Sequence, residues 1–279
     1  MELLINGQAA DITMDKEKTV GDVMAGLEKW LAGMGHRLSG LSIDGQTANT
    51  SLLEDFFSRE LINIKKLELT TSTVADLFAE SLLNLLSDIK EYEKLNFDEK
   101  KSFINVWKDK AHVLFIFEQM PDLYNIIVNL LSGTETDSGS VYSITEERLR
   151  EVKDPVKEFS ALQQLITQVC ALLCDLPLDI QTGKDAKAAR TIQVFSGISE
   201  KILRVLKQLD LQGLLIPEND TENQIKNIIN EFGKIVKNLL EAYEKYDTVL
   251  VGDIAEYEAS PVLQKFYDQI SNNIRPKND

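Results

Sequence analysis

The residue types that most often carry chemistry are scarce in this chain and do not stand at catalytic spacings. Its 279 residues include two histidines, His36 and His112. His36 follows a glycine that would end a helix, so it is predicted in an exposed loop. His112 precedes the apolar run 113–117 and is predicted in the core or at its boundary. Neither histidine has a Cys, Ser or carboxylate at a spacing that indicates a catalytic triad or a metal site.

The two cysteines, Cys170 and Cys174, lie on one face of a predicted helix. They could supply half of a metal site, but the sequence shows no second pair of ligands. We therefore predict two small buried side chains, without a disulfide. Gly183-Lys184 lacks the upstream glycine of a phosphate-binding loop, and Gly33-Met34-Gly35 lacks the third glycine of a dinucleotide-binding turn. No cofactor and no metal are expected.

The segment 246–261 is the most distinctive stretch, because acidic and aromatic residues stand beside an apolar run. On a helix Asp253, Glu256 and Tyr257 share a face, and Glu258 follows directly. Paired carboxylates can carry out acid–base chemistry or hold a cation. More often they form a solvated face or the acidic rim of a protein interface. We take these four residues as the candidate partner surface. Tyr243, Tyr246 and Tyr257 could form an aromatic patch, although packing in the core is the simpler expectation.

Charge limits the kinds of partner. The formal net charge is −15 and the pI is about 4.7, so the surface repels nucleic acid and anionic membranes. A basic or amphipathic protein is the expected partner. The first residues show no signal peptide, and the apolar run 113–117 is far short of the roughly 20 residues of a membrane span. We therefore expect a cytoplasmic protein.

These residues must be positioned by two different kinds of structure. In the first 70 residues, Glu2–Ile5 ends in Asn6-Gly7, a strong hairpin signal. Thr19 and Asp22 form a capping box for a helix that Gly33 and Gly35 would end. The predicted elements are strands at 2–5 and 11–14, this helix, a strand at 41–43, a helical turn at 52–57 and a strand at 61–70, with a bulge at Lys65-Lys66.

This order of elements resembles the β-grasp fold of ubiquitin-like proteins, including the short helical turn at Leu52–Phe56. The resemblance covers residues 1–70 and lies in topology, and it implies a built-in recognition module. Ubiquitin-type modifiers end in a free Gly-Gly tail. Here the last strand runs into Thr70–Thr73 and a helix, so the resemblance does not imply conjugation to other proteins.

The remainder, 72–279, is predicted to be helical. One helix is expected from Asn96 or Asp98 to Phe117. Another should begin near Thr145, and Pro155 either kinks it or starts a new helix that runs to about Leu176. The last helix should have a break or kink at Pro261. The polar segment 132–140 is either a domain boundary, which would give 72–131 and 141–279, or a long loop.

The helix predicted at 221–250 carries a stripe of apolar residues with heptad-like spacing, which could also pair two copies of the chain. The members of the stripe are Ile225, Ile229, Phe232, Val236, Leu239, Tyr243 and Tyr246.

Together these patterns predict an α+β protein, with a small β-grasp-like domain at 1–71 followed by a mainly α-helical bundle region. The favoured function is non-enzymatic: an adaptor, scaffold or chaperone-like factor that binds other proteins. Two alternatives stay open. One is an enzyme or small-ligand-binding helical protein that uses carboxylates and tyrosines. The other is a helper for assembly or export of a basic or amphipathic client.

Overall fold

A mixed β-sheet opens the chain and helices make up the rest, which confirms the predicted α+β class. The computed structural model describes residues 1–10, 17–33, 35–48, 53–133, 137–216 and 221–275. Contacts divide the chain into two compact units, Met1–Glu146 and Glu147–Asp279. The domain boundaries predicted at 71 and at 132–140 stay predictions.

The sheet has the strand order β2-β1-β5-β3-β4. Its strands are β1 Glu2–Ile5, β2 Gln8–Ala9, β3 His36–Ile43, β4 Gln46–Thr47 and β5 Lys66–Thr73. β1 runs parallel to β5, and the other pairs are antiparallel. The strand predicted at 11–14 lies outside the described residues.

Two tight turns shape the ends of the sheet. Asn6-Gly7 and Asp44-Gly45 both have two consecutive positive φ angles, 49° and 77° in the first turn and 49° and 84° in the second. These are the angles that two-residue hairpin turns require, and glycine adopts them without a steric penalty. The predicted Asn-Gly turn is therefore confirmed.

The first helix, α1 (Val20–Gly33), packs its apolar side chains against the sheet. The predicted capping box is present: the Thr19 N–H donates to Asp22 Oδ2 at 2.9 Å, and the Asp22 N–H donates to Thr19 Oγ1 at 3.2 Å. Five of its side chains are buried: Val20, Val23, Met24, Leu27 and Leu31.

The predicted last strand, 61–70, is partly wrong. Leu61–Asn63 is a short 3₁₀ turn in which Ile62 is exposed, and β5 begins at Lys66. The Asp44 carboxylate accepts hydrogen bonds from the backbone N–H groups of Lys65 and Lys66, which anchors the start of the strand. The irregularity of register lies in β3 between Leu38 and Gly40, not at Lys65-Lys66. His36 belongs to β3 and is half-buried, so the predicted exposed loop is also wrong.

Eleven further helices are seen in the described residues, together with one π-helix. They are α2 Leu53–Phe57, α3 Val74–Lys94, α4 Phe97–Trp107, α5 Ala111–Gln119, α6 Pro121–Leu131, α7 Ser138–Lys153, α8 Pro155–Gln181, α9 Asp185–Leu211, α10 Thr221–Glu244, α11 Thr248–Asp253, the π-helix Ile254–Ala259 and α12 Ser260–Asn272.

Three helix boundaries differ from the sequence prediction. The helix expected up to Phe117 is interrupted at 108–110, where Lys110 leaves helical geometry with ψ 136°. α7 starts at Ser138, because the Asp137 carboxylate accepts hydrogen bonds from the N–H groups of Gly139 and Ser140. α8 continues through Pro177 for a further turn, and this proline packs against Gly252.

The second unit is organised around four phenylalanines that are fully buried, one from each of its long helices. Phe232 of α10 and Phe266 of α12 are stacked with ring centroids 4.8 Å apart, and Phe195 of α9 meets Phe232 edge-on at 6.3 Å. Phe159 of α8 stacks on Tyr267 at 5.1 Å. Aromatic pairs of this geometry add to the burial of their area.

The contact between α8 and α11 gives a test of this core. A Cβ on Gly252 would lie 3.3 Å from Pro177 Cβ, whereas a Cβ on Gly233 of α10 would meet nothing within 4 Å. Replacing glycine with alanine increases helix propensity equally at both sites, so this contribution cancels when the two variants are compared. We expect Gly252→Ala to be less stable than Gly233→Ala by about 1–3 kcal/mol, the usual cost of overpacking. Urea unfolding followed by circular dichroism measures the difference, and equal stabilities would contradict the packing.

Candidate functional site

The predicted partner surface lies on one continuous helical segment, formed by α11, the π-helix and α12. The segment begins at Asp247, whose carboxylate accepts a hydrogen bond from the Leu250 N–H at 3.1 Å. Tyr246 stands immediately before it with φ 57°, in the left-handed region. That conformation is uncommon for a bulky residue and strains the backbone. It turns the chain from α10 into α11 and leaves the Tyr246 side chain 89% exposed.

The π-helix replaces the break that the sequence predicts at Pro261. The Ser260 N–H donates to the Ala255 carbonyl, a bond one residue longer than in an α-helix. Pro261 has no N–H to donate, and it is accommodated in the first turn of α12. The helix therefore carries on to Asn272. Single π-turns of this kind are frequent at functional sites.

Large apolar side chains are exposed along this segment beside its carboxylates. Tyr246 is 89% exposed, Val249 74%, Leu250 45% and Tyr257 69%. We call these four residues, with Asp253, Glu256 and Glu258, the aromatic–acidic surface. Val251 and Ile254, from the same apolar run in the sequence, are buried. The sequence places acids and apolar residues together, but only the structure tells which apolar residues face solvent.

The structure brings three of the four predicted residues together. The negative charge of Glu256, its hydrogen bond to the phenol and the charge of Asp253 all raise the pKa of Tyr257. Glu258 is exposed one residue further along. Tyr243, Tyr246 and Tyr257 are all at the surface, so the expectation that they pack in the core is wrong. The phenol of Tyr257 stays protonated and donates its hydrogen to Glu256, so its oxygen can accept a hydrogen bond from a partner.

A second group of ionisable residues lies in the first unit and was not foreseen from the sequence. Asp88 of α3 is 6% exposed, and its carboxylate oxygens lie 2.7 Å from Lys110 Nζ and 2.7 Å from His112 Nε2. Burial raises the pKa of Asp88, but the hydrogen bonds from His112 and Lys110 outweigh it and hold the pKa below its ordinary value. The three residues are 22 and 24 positions apart, so local spacing gives no signal.

A partly buried ionic network joins α7, α8 and α9 in the second unit. Lys201 contacts Glu147 at 2.7 Å and Glu158 at 3.2 Å, and Arg204 donates to both carboxylate oxygens of Glu151. Glu151 is 2% exposed. Burial lowers the pKa of Lys201, but its two carboxylate partners outweigh this and raise it overall. Each carboxylate has a cation beside it, so the network holds the three helices together.

The cysteines are less buried than predicted. Cys170 is half-buried and Cys174 is exposed, although they share one side of α8 as expected. Both meet Ser260: Cys170 Sγ donates to the Ser260 carbonyl at 3.4 Å, and Cys174 Sγ donates to its hydroxyl at 3.5 Å. Burial raises the pKa of Cys170, so its thiol stays protonated and poorly nucleophilic.

Within residues 1–10, 17–33, 35–48, 53–133, 137–216 and 221–275, His, Cys, Asp and Glu form no group of three or more that could hold a metal ion. Among the described helices, α8 is long and apolar enough to cross a membrane by length and composition. Its inward face belongs to the core of the second unit, and core helices pass the same test.

Comparisons with known proteins give two partial matches and one full-length relative. Residues 1–73 match the TP0873 N-terminal domain, and residues 156–269 match a domain of unknown function, DUF8042. An uncharacterized protein of Treponema pallidum (strain Nichols) is 24% identical over 270 residues, which cover 97% of this chain and 96% of the relative. No solved structure matches the chain. The first match ends with β5, and the second lies inside the second unit.

The acidic environment of Tyr257 can be tested by its titration. Replacing Glu256 with Gln removes the largest cause of the shift, so the pKa of Tyr257 should fall toward the ordinary tyrosine value. Cζ-labelled tyrosine NMR over a pH series measures it residue by residue. Glu244→Gln, an exposed acid outside this surface, is the matched control and should leave the titration of Tyr257 unchanged.

The Asp88 cluster predicts how the first unit responds to acid. The pKa of Asp88 is lower in the folded protein than its unfolded value of about 3.9. Asp88 therefore adds to the free energy of unfolding above pH 3.9, and this contribution is lost as the pH falls through the folded pKa. Asp88→Asn should destabilise the first unit by about 1.5–3 kcal/mol at pH 7, the range for hydrogen bonds to charged groups. It should also flatten the loss of stability in acid.

Tryptophan fluorescence is the measurement for this change, since Trp30 and Trp107 are the only tryptophans and both lie in the first unit. Asp109→Asn changes an exposed acid close to the cluster and serves as control. If both variants unfold alike at pH 7, Asp88 has no stabilising role.

Proposed function

We propose that the chain is a non-enzymatic protein-interaction protein, and that the aromatic–acidic surface binds a basic, amphipathic segment of a partner protein. The observation that carries the proposal is the exposure of Tyr246, Val249, Leu250 and Tyr257 along a single helical segment. Scattered exposed apolar residues are normal, but grouped ones mark interaction sites. Tyrosines are also enriched at the centres of protein interfaces.

Strain supports the same assignment. An aromatic residue held at φ 57° and a π-turn occur within 14 residues of each other, at 246 and 254–259. Both cost free energy relative to a regular helix, and such costs persist where the geometry has a use. Here the left-handed Tyr246 directs an aromatic ring into solvent, where it contributes nothing to the core of its own unit.

Charge indicates the chemistry of the partner. Asp253, Glu256 and Glu258 flank the apolar side chains, and the chain as a whole carries −15. A partner helix with an apolar stripe and basic flanks would bury the rings and neutralise the carboxylates. Complementary charges raise the association rate and the specificity more than the affinity, so binding should weaken as salt increases.

The first 73 residues support the proposal as a second recognition module. We propose that they form a β-grasp domain: the strand order 2-1-5-3-4, the parallel pairing of β1 with β5 and the helix α1 between the two hairpins all agree with that fold. The last strand passes directly into α3, so the module would act within the chain. A cytoplasmic location is part of the proposal, and the two free cysteines and the acidic composition support it.

Pairing of two copies through α10 is the alternative use of the second unit. Much of the apolar stripe of α10 is taken up by the core of its own unit, since Phe232 and Leu239 are fully buried there. Among the members of the stripe whose side chains are described, Tyr243, which is 38% exposed, and Tyr246 are exposed. We therefore favour a heterologous partner over a second copy.

A pair of synthetic peptides tests the proposed interface. Both are amphipathic helices with the same leucine face, one flanked by lysines and the other by glutamates. We expect the full chain to bind the lysine peptide and to reject the glutamate peptide. Val249→Ser should weaken binding by about fivefold or more, as expected for an interface residue whose truncation costs at least 1 kcal/mol. Fluorescence anisotropy of labelled peptides gives the affinities.

Val106→Ser is the matched control, because Val106 is 67% exposed on α4 of the first unit. Sedimentation of each variant shows whether copies associate. Equal binding of the two peptides, or equal loss from both valine variants, would exclude this surface. A dimer that Val249→Ser dissociates without any peptide would assign the surface to self-association instead.

A further inference from the structure

A cavity of about 820 Å³ lies in the second unit, away from the aromatic–acidic surface. Its apolar walls are Leu203 and Leu206 from α9, Ile229 from α10, and Leu215 and Ile216 from the segment that follows α9. Leu206 is 5% exposed, whereas Leu203 is 38% exposed and stands nearer to solvent. The volume falls within the range of about 300–1,000 Å³ that is usual for small-molecule sites.

The walls are held in place by backbone hydrogen bonds. The Ile216 N–H donates to the Asn273 carbonyl at 2.9 Å, and the Arg275 N–H donates to the Leu214 carbonyl at 2.8 Å. These bonds tie the segment after α9 to the chain that leaves α12. They also fix the backbone of Arg275 beside the cavity. The site is therefore built from three parts of the sequence that are far apart.

Four charged residues line the cavity in the described part of the chain: Lys207, Asp210, Lys226 and Arg275. Lys207 and Lys226 already interact with other groups of the chain, so Arg275 is the cation that a ligand could engage. The Arg275 side chain makes no ion pair with any residue in the described part of the chain. An arginine beside an apolar cavity is a binding group for a carboxylate, which its planar guanidinium can hold through two hydrogen bonds.

We propose that this cavity binds the carboxylate of a single-chain fatty acid, with the alkyl chain between α9 and α10 and the carboxylate at Arg275. The combination of five apolar wall residues with Arg275 matches an amphipathic anion. Inorganic phosphate or a nucleotide would leave the apolar walls unused. A neutral alkane would leave Arg275 without a partner. The ligand is a monomeric fatty acid and not a bilayer, since the chain as a whole carries a net charge of −15, which opposes binding to anionic membranes.

Isothermal titration of the full chain with decanoate, 1-decanol and acetate tests the proposal. Decanoate should bind one to one, and acetate should not bind measurably. Decanol should bind about tenfold more weakly than decanoate, the change expected for loss of one charge-assisted hydrogen bond. Arg275→Gln should weaken decanoate by a similar factor of about ten and leave decanol unchanged.

A second variant separates the apolar part of the site from the charge. Leu203→Trp fills the mouth of the cavity, so it should abolish binding of both decanoate and decanol. Leu165→Trp on α8, where the leucine is 47% exposed, is its control, and Lys237→Gln on α10 is the control for Arg275→Gln. Both controls lie outside the cavity and should bind like the original chain.

Four results would overturn the proposal. Equal affinity for decanoate and decanol, or an unchanged decanoate affinity in Arg275→Gln, would show that Arg275 does not bind the carboxylate. Full binding by Leu203→Trp would place the ligand elsewhere. Failure of decanoate to bind, with or without binding to vesicles of anionic phospholipid, would exclude a monomeric fatty acid. None of these results bears on the peptide interface, because Val249 and Tyr257 do not line the cavity.

Discussion

The burial of four aromatic rings is the constraint on which the second unit depends. Phe159, Phe195, Phe232 and Phe266 come from four different helices and are all fully buried. Each ring fixes the rotation of its own helix, because a helix can turn only one stripe of side chains inward. Once α10 and α12 are fixed by the stacked Phe232 and Phe266, the chain that connects them has little freedom. What faces solvent in that connection is decided by the core.

The connection meets this constraint through a tight turn and a π-helix. The left-handed residue at Tyr246 reverses the chain, and the extra residue in the π-turn shifts the face of the helix before Pro261. Val251, Ile254 and Ala255 then reach the core, and Val249 and Leu250 are left outside. The aromatic–acidic surface is thus a consequence of how the helix must join the core, combined with the acids that stand beside it in sequence.

Ionic contacts fix the helices in a different way from apolar packing. In the first unit Asp88 receives both Lys110 and His112, and in the second Lys201 and Arg204 hold carboxylates of α7 and α8. A buried charge is tolerated only with partners at hydrogen-bond distance, so each contact specifies one arrangement of its helices. Arg275 differs from these cations, since it lies beside an apolar cavity and makes no ion pair with a described residue.

Local patterns determined much of the architecture. The Asn6-Gly7 turn, the capping box of Thr19 and Asp22, and the start of α6 at Pro121 depend on neighbours in the sequence, and all are present. The acidity and the segment 246–261 were also evident from the residues alone. Tertiary structure decided four features that local patterns do not predict. They are the start of β5 at Lys66, the continuation of α8 through Pro177, the exposure of Cys174, and the contact of Asp88 with His112. These depend on groups distant in the chain, such as Asp44 for β5 and Gly252 for α8. A sequence read without contacts therefore gives the elements and their charge, whereas the faces they bury are set by packing.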